Sequence, residues 1–160
     1  MTLNEQLQRI ARKLQPQINK VLRNDVANAV RAEEIDAINK VVYGSYSPYV
    51  YQRRESSGGL SDPTNIRAVV DAEGLHIWNN TPANPGGVRD TGRVTTSKYL
   101  ALLVERGNDR GGGLYDFPSK NSAFMDARPF TQTTVDELKK NGKHVAALKS
   151  GLKNLGIEIK

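Results

Sequence analysis

Two histidines, His76 and His144, are the whole supply of imidazole in this chain, and it has no cysteine. A zinc site needs clustered thiolates or imidazoles, so none can be built here. Adjacent carboxylates occur at Glu33-Glu34 and Asp136-Glu137. Neighbours on a helix diverge by about 100°, so neither pair can face one reacting atom for acid–base work. Gly111-Gly112-Gly113 could cradle a phosphate through backbone N–H groups, but no Lys-Ser or Lys-Thr follows to complete a P-loop. A Gly-x-Ser-x-Gly elbow and a strand-coupled Gly-x-Gly-x-x-Gly are also missing. Asn79-Asn80-Thr81 fits the glycosylation acceptor pattern, without a secretory signal to give it meaning. The expectation is a non-catalytic protein with no metal and no cofactor.

The chain has 160 residues, 23 Lys and Arg against 17 Asp and Glu, and a formal net charge of +6. That length can bury one core without disulfides, so a single domain is expected over residues 1–160. The positive excess raises a polyanionic partner such as DNA. It is spread thinly, however, at +2 over residues 1–40, +1 over 41–125 and +3 over 126–160. A dedicated nucleic-acid face concentrates its charge, so a basic DNA-binding or regulatory protein is the alternative function and not the first. No apolar window approaches the roughly 20 residues a membrane helix needs.

These residues must be positioned by three successive parts. Over 1–40, Thr2-x-x-Glu5 has the form of a capping box, and Leu3, Leu7, Ile10, Leu14, Ile18, Val21 and Val26 recur at helical spacing. This predicts a long amphipathic helix, kinked or restarted at Pro16, with the stripe packed in the core. At roughly 55 Å it outruns a body of this size, so one end should project. Over 41–125 the pattern changes. Val41, Val42, Tyr43, Tyr46, Tyr49, Val50 and Tyr51 suggest short strands, and residues 65–71 and 75–79 a β-hairpin turning at Gly74. Residues 98–106 fit a helix or a buried strand before Gly107, and 108–121 a long loop. Over 126–160, Pro129 and Phe130 open a helix, Asn141-Gly142 caps it, and Val145, Leu148, Leu152 and Leu155 continue a helical pattern, with 157–159 as a short edge strand. The fold class expected is α+β, with a long N-terminal helix and a C-terminal helix on a small antiparallel sheet.

In that order, Tyr51-x-Arg53-Arg54, Gly58-Gly59-Leu60, the hairpin, Tyr99-Leu100, Val104-Glu105-x-Gly107 and Ala127-Arg128-Pro129-Phe130 carry a family likeness. The chain resembles the small neck and tail-completion proteins of long-tailed bacteriophages over nearly its whole length. It departs from their pattern at Asn108, where threonine is usual, and at Thr131, where leucine often follows Pro-Phe.

The resemblance implies a homo-oligomeric ring of the virion that joins tail to capsid. Its partners would be the adjacent head-tail connector and tail tube proteins, with phosphate-only contact to DNA in the lumen. It assigns subunit or partner contacts to Tyr51, Arg53, Arg54, Glu105, Gly107, Arg128, Pro129 and Phe130. Phe130 is also expected as a core aromatic, and Glu105 as a partner of Arg128 or of a basic residue on the next subunit.

Overall fold

Thr2 opens the first helix as its sequence predicts. Its backbone N–H donates to Glu5 Oε2 at 2.7 Å, and the Glu5 N–H donates back to Thr2 Oγ1 at 3.3 Å. The computed structural model describes residues 2–45, 54–82, 100–107 and 126–157. From this cap a helical path runs unbroken through α1 (Leu3–Val21), a π-helical turn (Leu22–Val26), α2 (Ala27–Ala37) and a second π-helical segment (Ile38–Tyr43). At 1.5 Å per residue it is on the order of 60 Å long.

The path narrows one expectation and overturns another. Of the kink or restart expected at Pro16, the restart does not occur, because Pro16 lies inside α1. Pro16 and Arg12 are both exposed, so the carbonyl released by the missing N–H faces water and its loss is tolerated. Val41, Val42 and Tyr43 are helical and not a strand. Their β-branched preference yields to burial, since Val42 enters a core with Leu60, Val104 and Phe130. The rest of the predicted strand run, residues 46–51, lies outside the described residues.

The hairpin forms as expected, with β1 (Ile66–Val70) antiparallel to β2 (Leu75–Asn79) and Val70 opposite Leu75. Asp71 Oδ1 accepts from the Glu73 and Gly74 N–H groups, which closes the turn. Gly74 has φ 135°, a conformation costly for any residue with a Cβ. The undecided 98–106 run is helical as α3 (Leu100–Arg106). α4 (Phe130–Asn141) and α5 (Lys143–Asn154) are separated by Gly142 in the left-handed region, the predicted cap. Of the predicted edge strand only Ile157 is described, and it packs among the helices.

α4 packs on α2, while α5 lies along the Leu22–Val26 turn and both flanking helices. One apolar cluster joins Ala37, Ile38, Val42, Leu60, Ala101, Val104 and Phe130; a second joins Val21, Val26 and Leu152, flanked by Ile18, Leu75, Leu148 and Ile157. α5 approaches so closely that a Cβ at Gly151 would run into the Val21 side chain and the Asp25 carboxylate. Helices around a two-stranded antiparallel sheet make this an α+β protein. Among the described residues no helix is long and apolar enough to cross a membrane.

Candidate assembly surface

Glu105 lies in the last turn of α3, and its carboxylate reaches the start of α4. The Thr131 and Gln132 N–H groups donate to its two oxygens at 2.9 and 3.4 Å. The first N–H groups of a helix have no partners within the helix and carry a partial positive charge. Glu105 therefore supplies from another element the cap that Pro129, lacking a polar side chain, cannot. The Arg128 N–H donates to the Val104 carbonyl at 2.9 Å, fixing the approach to α4. Phe130, only 1 % exposed, then seats in the first apolar cluster. Gly107 leaves α3 with φ 68°. The two sequence segments, Val104-Glu105-x-Gly107 and Arg128-Pro129-Phe130, thus meet in one joint. Phe130 stands there as a core aromatic.

Arg54 stands apart from this joint. Its Nη2 donates to the Pro82 carbonyl at 2.8 Å, tying the turn before Gly58-Gly59 to the chain just after the hairpin. Tyr51, Arg53 and the whole of the predicted 108–121 loop, with Gly111-Gly112-Gly113 in it, lie outside the described residues. Asp62 organises the Gly58-Gly59 turn. It accepts from the Gly58 N–H at 2.6 Å and from the Thr64 hydroxyl and N–H at 2.6 and 2.8 Å. The Thr64 hydroxyl, followed by the two N–H donors, holds the Asp62 carboxyl below the usual range.

A buried polar clamp, which no sequence pattern singles out, joins this turn to α2 and the hairpin. Asn79 Nδ2 donates to the Leu60 carbonyl at 2.8 Å and to Glu34 Oε1 at 3.1 Å. The fully buried Thr81 hydroxyl lies 2.6 Å from Asn79 Oδ1 and 3.1 Å from the Gly59 carbonyl. Its only trace in the sequence is the Asn79-x-Thr81 pattern, which glycosylation and an internal clamp share.

The adjacent carboxylates diverge as helical geometry requires. Glu33 takes the Lys143 ammonium at 2.7 Å, and Glu34 takes Asn79. Burial raises the Glu34 pKa above 4.5, the Asn79 hydrogen bond offsets part of this, and the nearby Glu105 charge adds to it. Lys143 is held above 10.5 by its hydrogen bond to Glu33 and by that charge. Each acid serves a different neighbour, and they do not converge on a common reacting atom. Among the described residues no group of three or more His, Cys, Asp or Glu could hold a metal.

Among the described residues, exposed apolar side chains gather at two places in particular. The first is the start of α1, where Leu3, Leu7 and Ile10 are 73, 56 and 53 % exposed. The stripe packs in the core from Ile18 onward, where α5 covers it, and the earlier turns are the projecting end that the helix length leads one to expect. The second is the outer face of the hairpin, where Val69 and Trp78 stand exposed. Leu102 is exposed beside Trp78, the two bordering a shallow depression with Asn79 and Asn80.

Residues 6–154 match the sequence profile of the family described as YomN, which takes in the joint, the clamp and the hairpin face. The chain belongs to the YomN family. This is a phage-derived family, with YomN itself from a Bacillus prophage region. The elements just described are therefore those of a phage-associated protein. No curated protein and no solved structure matches this YomN-family chain.

Proposed function

We propose that this chain is a non-catalytic component of a phage head-to-tail connection, a neck or tail-completion ring joining tail to capsid. The observation that carries the proposal is the apolar seam of Leu3, Leu7 and Ile10, left in water on a projecting helix. Burying such side chains is worth about 1.5–3 kcal/mol each, so a seam of three gives another protein surface a reason to bind. The phage-derived family supplies the setting, and the order of motifs supplies the resemblance to neck proteins. The capped α3–α4 joint keeps the body stiff, as a ring subunit requires, while heterologous contacts close the ring by rotation. The partners are other copies of the chain, then the head-tail connector on one side and the tail tube on the other. The working location is the virion, and DNA in the lumen would meet basic side chains through phosphates alone.

The test is a phage lysate lacking this chain. Filled heads and finished tails should accumulate unjoined, and purified protein should restore joining; particles that join normally without it overturn the proposal. Solution mass across a concentration series reads the ring directly. If the isolated protein instead binds duplex DNA with an affinity that collapses between roughly 50 and 200 mM salt, the basic regulatory alternative replaces the ring.

A further inference from the structure

We infer that the N-terminal arm of one copy docks on the outer face of the hairpin of the next copy, an inference that rests on the ring proposed above. Leu3, Leu7 and Ile10 are spaced i, i+4, i+7, the pattern by which one helix face anchors in a shallow apolar site. Among the described residues no helix covers this seam. α5 runs antiparallel to the long helix, with Lys143 at Glu33, Gly151 at Val21 and Ile157 in the cluster flanked by Ile18. Beyond that level the seam runs on for about 22 Å at 1.5 Å per residue. Because the helical path is continuous from Leu3 to Tyr43, the arm cannot bend back over its own hairpin without breaking the helix.

The hairpin face offers the complementary chemistry. Val69, Trp78 and Leu102 are its exposed apolar groups. The arm carries Arg9, Arg12 and Lys13 against the single acid Glu5, while the hairpin turn carries Asp71 and Glu73. Arg67 and His76 share the hairpin face, and His76 Nε2 already engages Asp71 at 3.1 Å. Donor and acceptor are different patches of one chain, so every copy gives one contact and receives one. Passed from copy to copy, such contacts close into a ring where the rotation per copy closes, whereas reciprocal exchange between two copies gives a two-fold dimer, and solution mass separates the two. Closure of the ring would add to the stability of each contact by multivalency.

The absence of native cysteine makes the test clean. Leu7→Cys and Trp78→Cys proteins are mixed at equal concentration and oxidised mildly, both sites being exposed and outside the core. A disulfide dimer containing one of each is expected, with neither variant forming dimers alone. Dimers of Leu7→Cys alone would mean that arms pair with arms, and a doubly substituted chain that closes on itself as a monomer would mean that each arm covers its own hairpin; either overturns the inference. Leu7→Glu should raise the concentration needed for oligomers by about tenfold or more, with the helical circular dichroism unchanged. If oligomers form and neither change affects them, the docking mode falls and the ring stands. If the native chain stays a monomer at every concentration and no bridge forms, both fall.

Discussion

Replacing Phe130 by alanine tests whether the α3–α4 joint is core, because the ring is 1 % exposed and seated among Ala37, Ile38, Val42, Leu60, Ala101 and Val104. Truncation removes nearly all of a buried aromatic side chain and leaves a cavity that rigid helical neighbours on two sides cannot fill. Such changes cost about 3–5 kcal/mol. Urea slopes of about 1–3 kcal/mol per molar turn that loss into a midpoint lowered by roughly 1–5 M. Unfolding is followed by helical circular dichroism and, separately, by the fluorescence of Trp78, the single tryptophan, which sits on the hairpin away from the joint. The two probes should move together, and a leucine at position 130 should lose markedly less. A midpoint lowered by less than about 0.3 M with an unchanged slope would refute the placement of Phe130 in the core and return it to the surface.

Two further outcomes follow from the same packing. Gly151→Ala should destabilise the protein by about 1–3 kcal/mol in the same urea titration, because the collision with Val21 and Asp25 outweighs the gain of up to about 1 kcal/mol in helix propensity. The raised pKa of Glu34 means that the native state holds a proton which the unfolded chain has already released. Its contribution to stability is therefore full below pH 4.5 and is lost as pH rises through the native value. Glu34→Gln keeps an acceptor for Asn79 and removes the charge. Its melting temperature should depend less on pH over that window than the parent's and should be no lower at pH 7; an unchanged pH profile would contradict the assignment.

Most local structure was legible because it depends on neighbours a few residues apart. The Thr2–Glu5 cap, the Ile66–Asn79 hairpin and the Gly142 break between α4 and α5 each follow from a short pattern with one physical cause. The misreadings arose where distant packing decides. Val41 to Tyr43 have strand-like side chains, yet the pocket made by Leu60, Val104 and Phe130 draws them into helix. Leu3 to Ile10 repeat at the same spacing as the buried part of the stripe, and no periodicity tells where α5 stops covering it. Within the joint, Glu105 is expected to meet Arg128 or a basic residue of the next subunit, and inside the chain it accepts from the N–H groups that open α4. That choice depends on how α3 points, which the residues around Glu105 do not encode. The Glu34–Asn79–Thr81 clamp was invisible for a similar reason, since its members come from segments 45 residues apart.

Glu33 and Glu34, side by side on α2, wait for different parts of the polypeptide to arrive. Glu34 meets Asn79 45 positions later, and Glu33 meets Lys143 only after 110. While the nascent chain is still on the ribosome, the first half therefore carries an acid whose counter-charge has not been synthesised, along with apolar turns that α5 has yet to shield. α5 acts as a latch: a product truncated before Lys143 would leave Glu33 without its ammonium partner and the second cluster open, a state for chaperones and proteases to recognise.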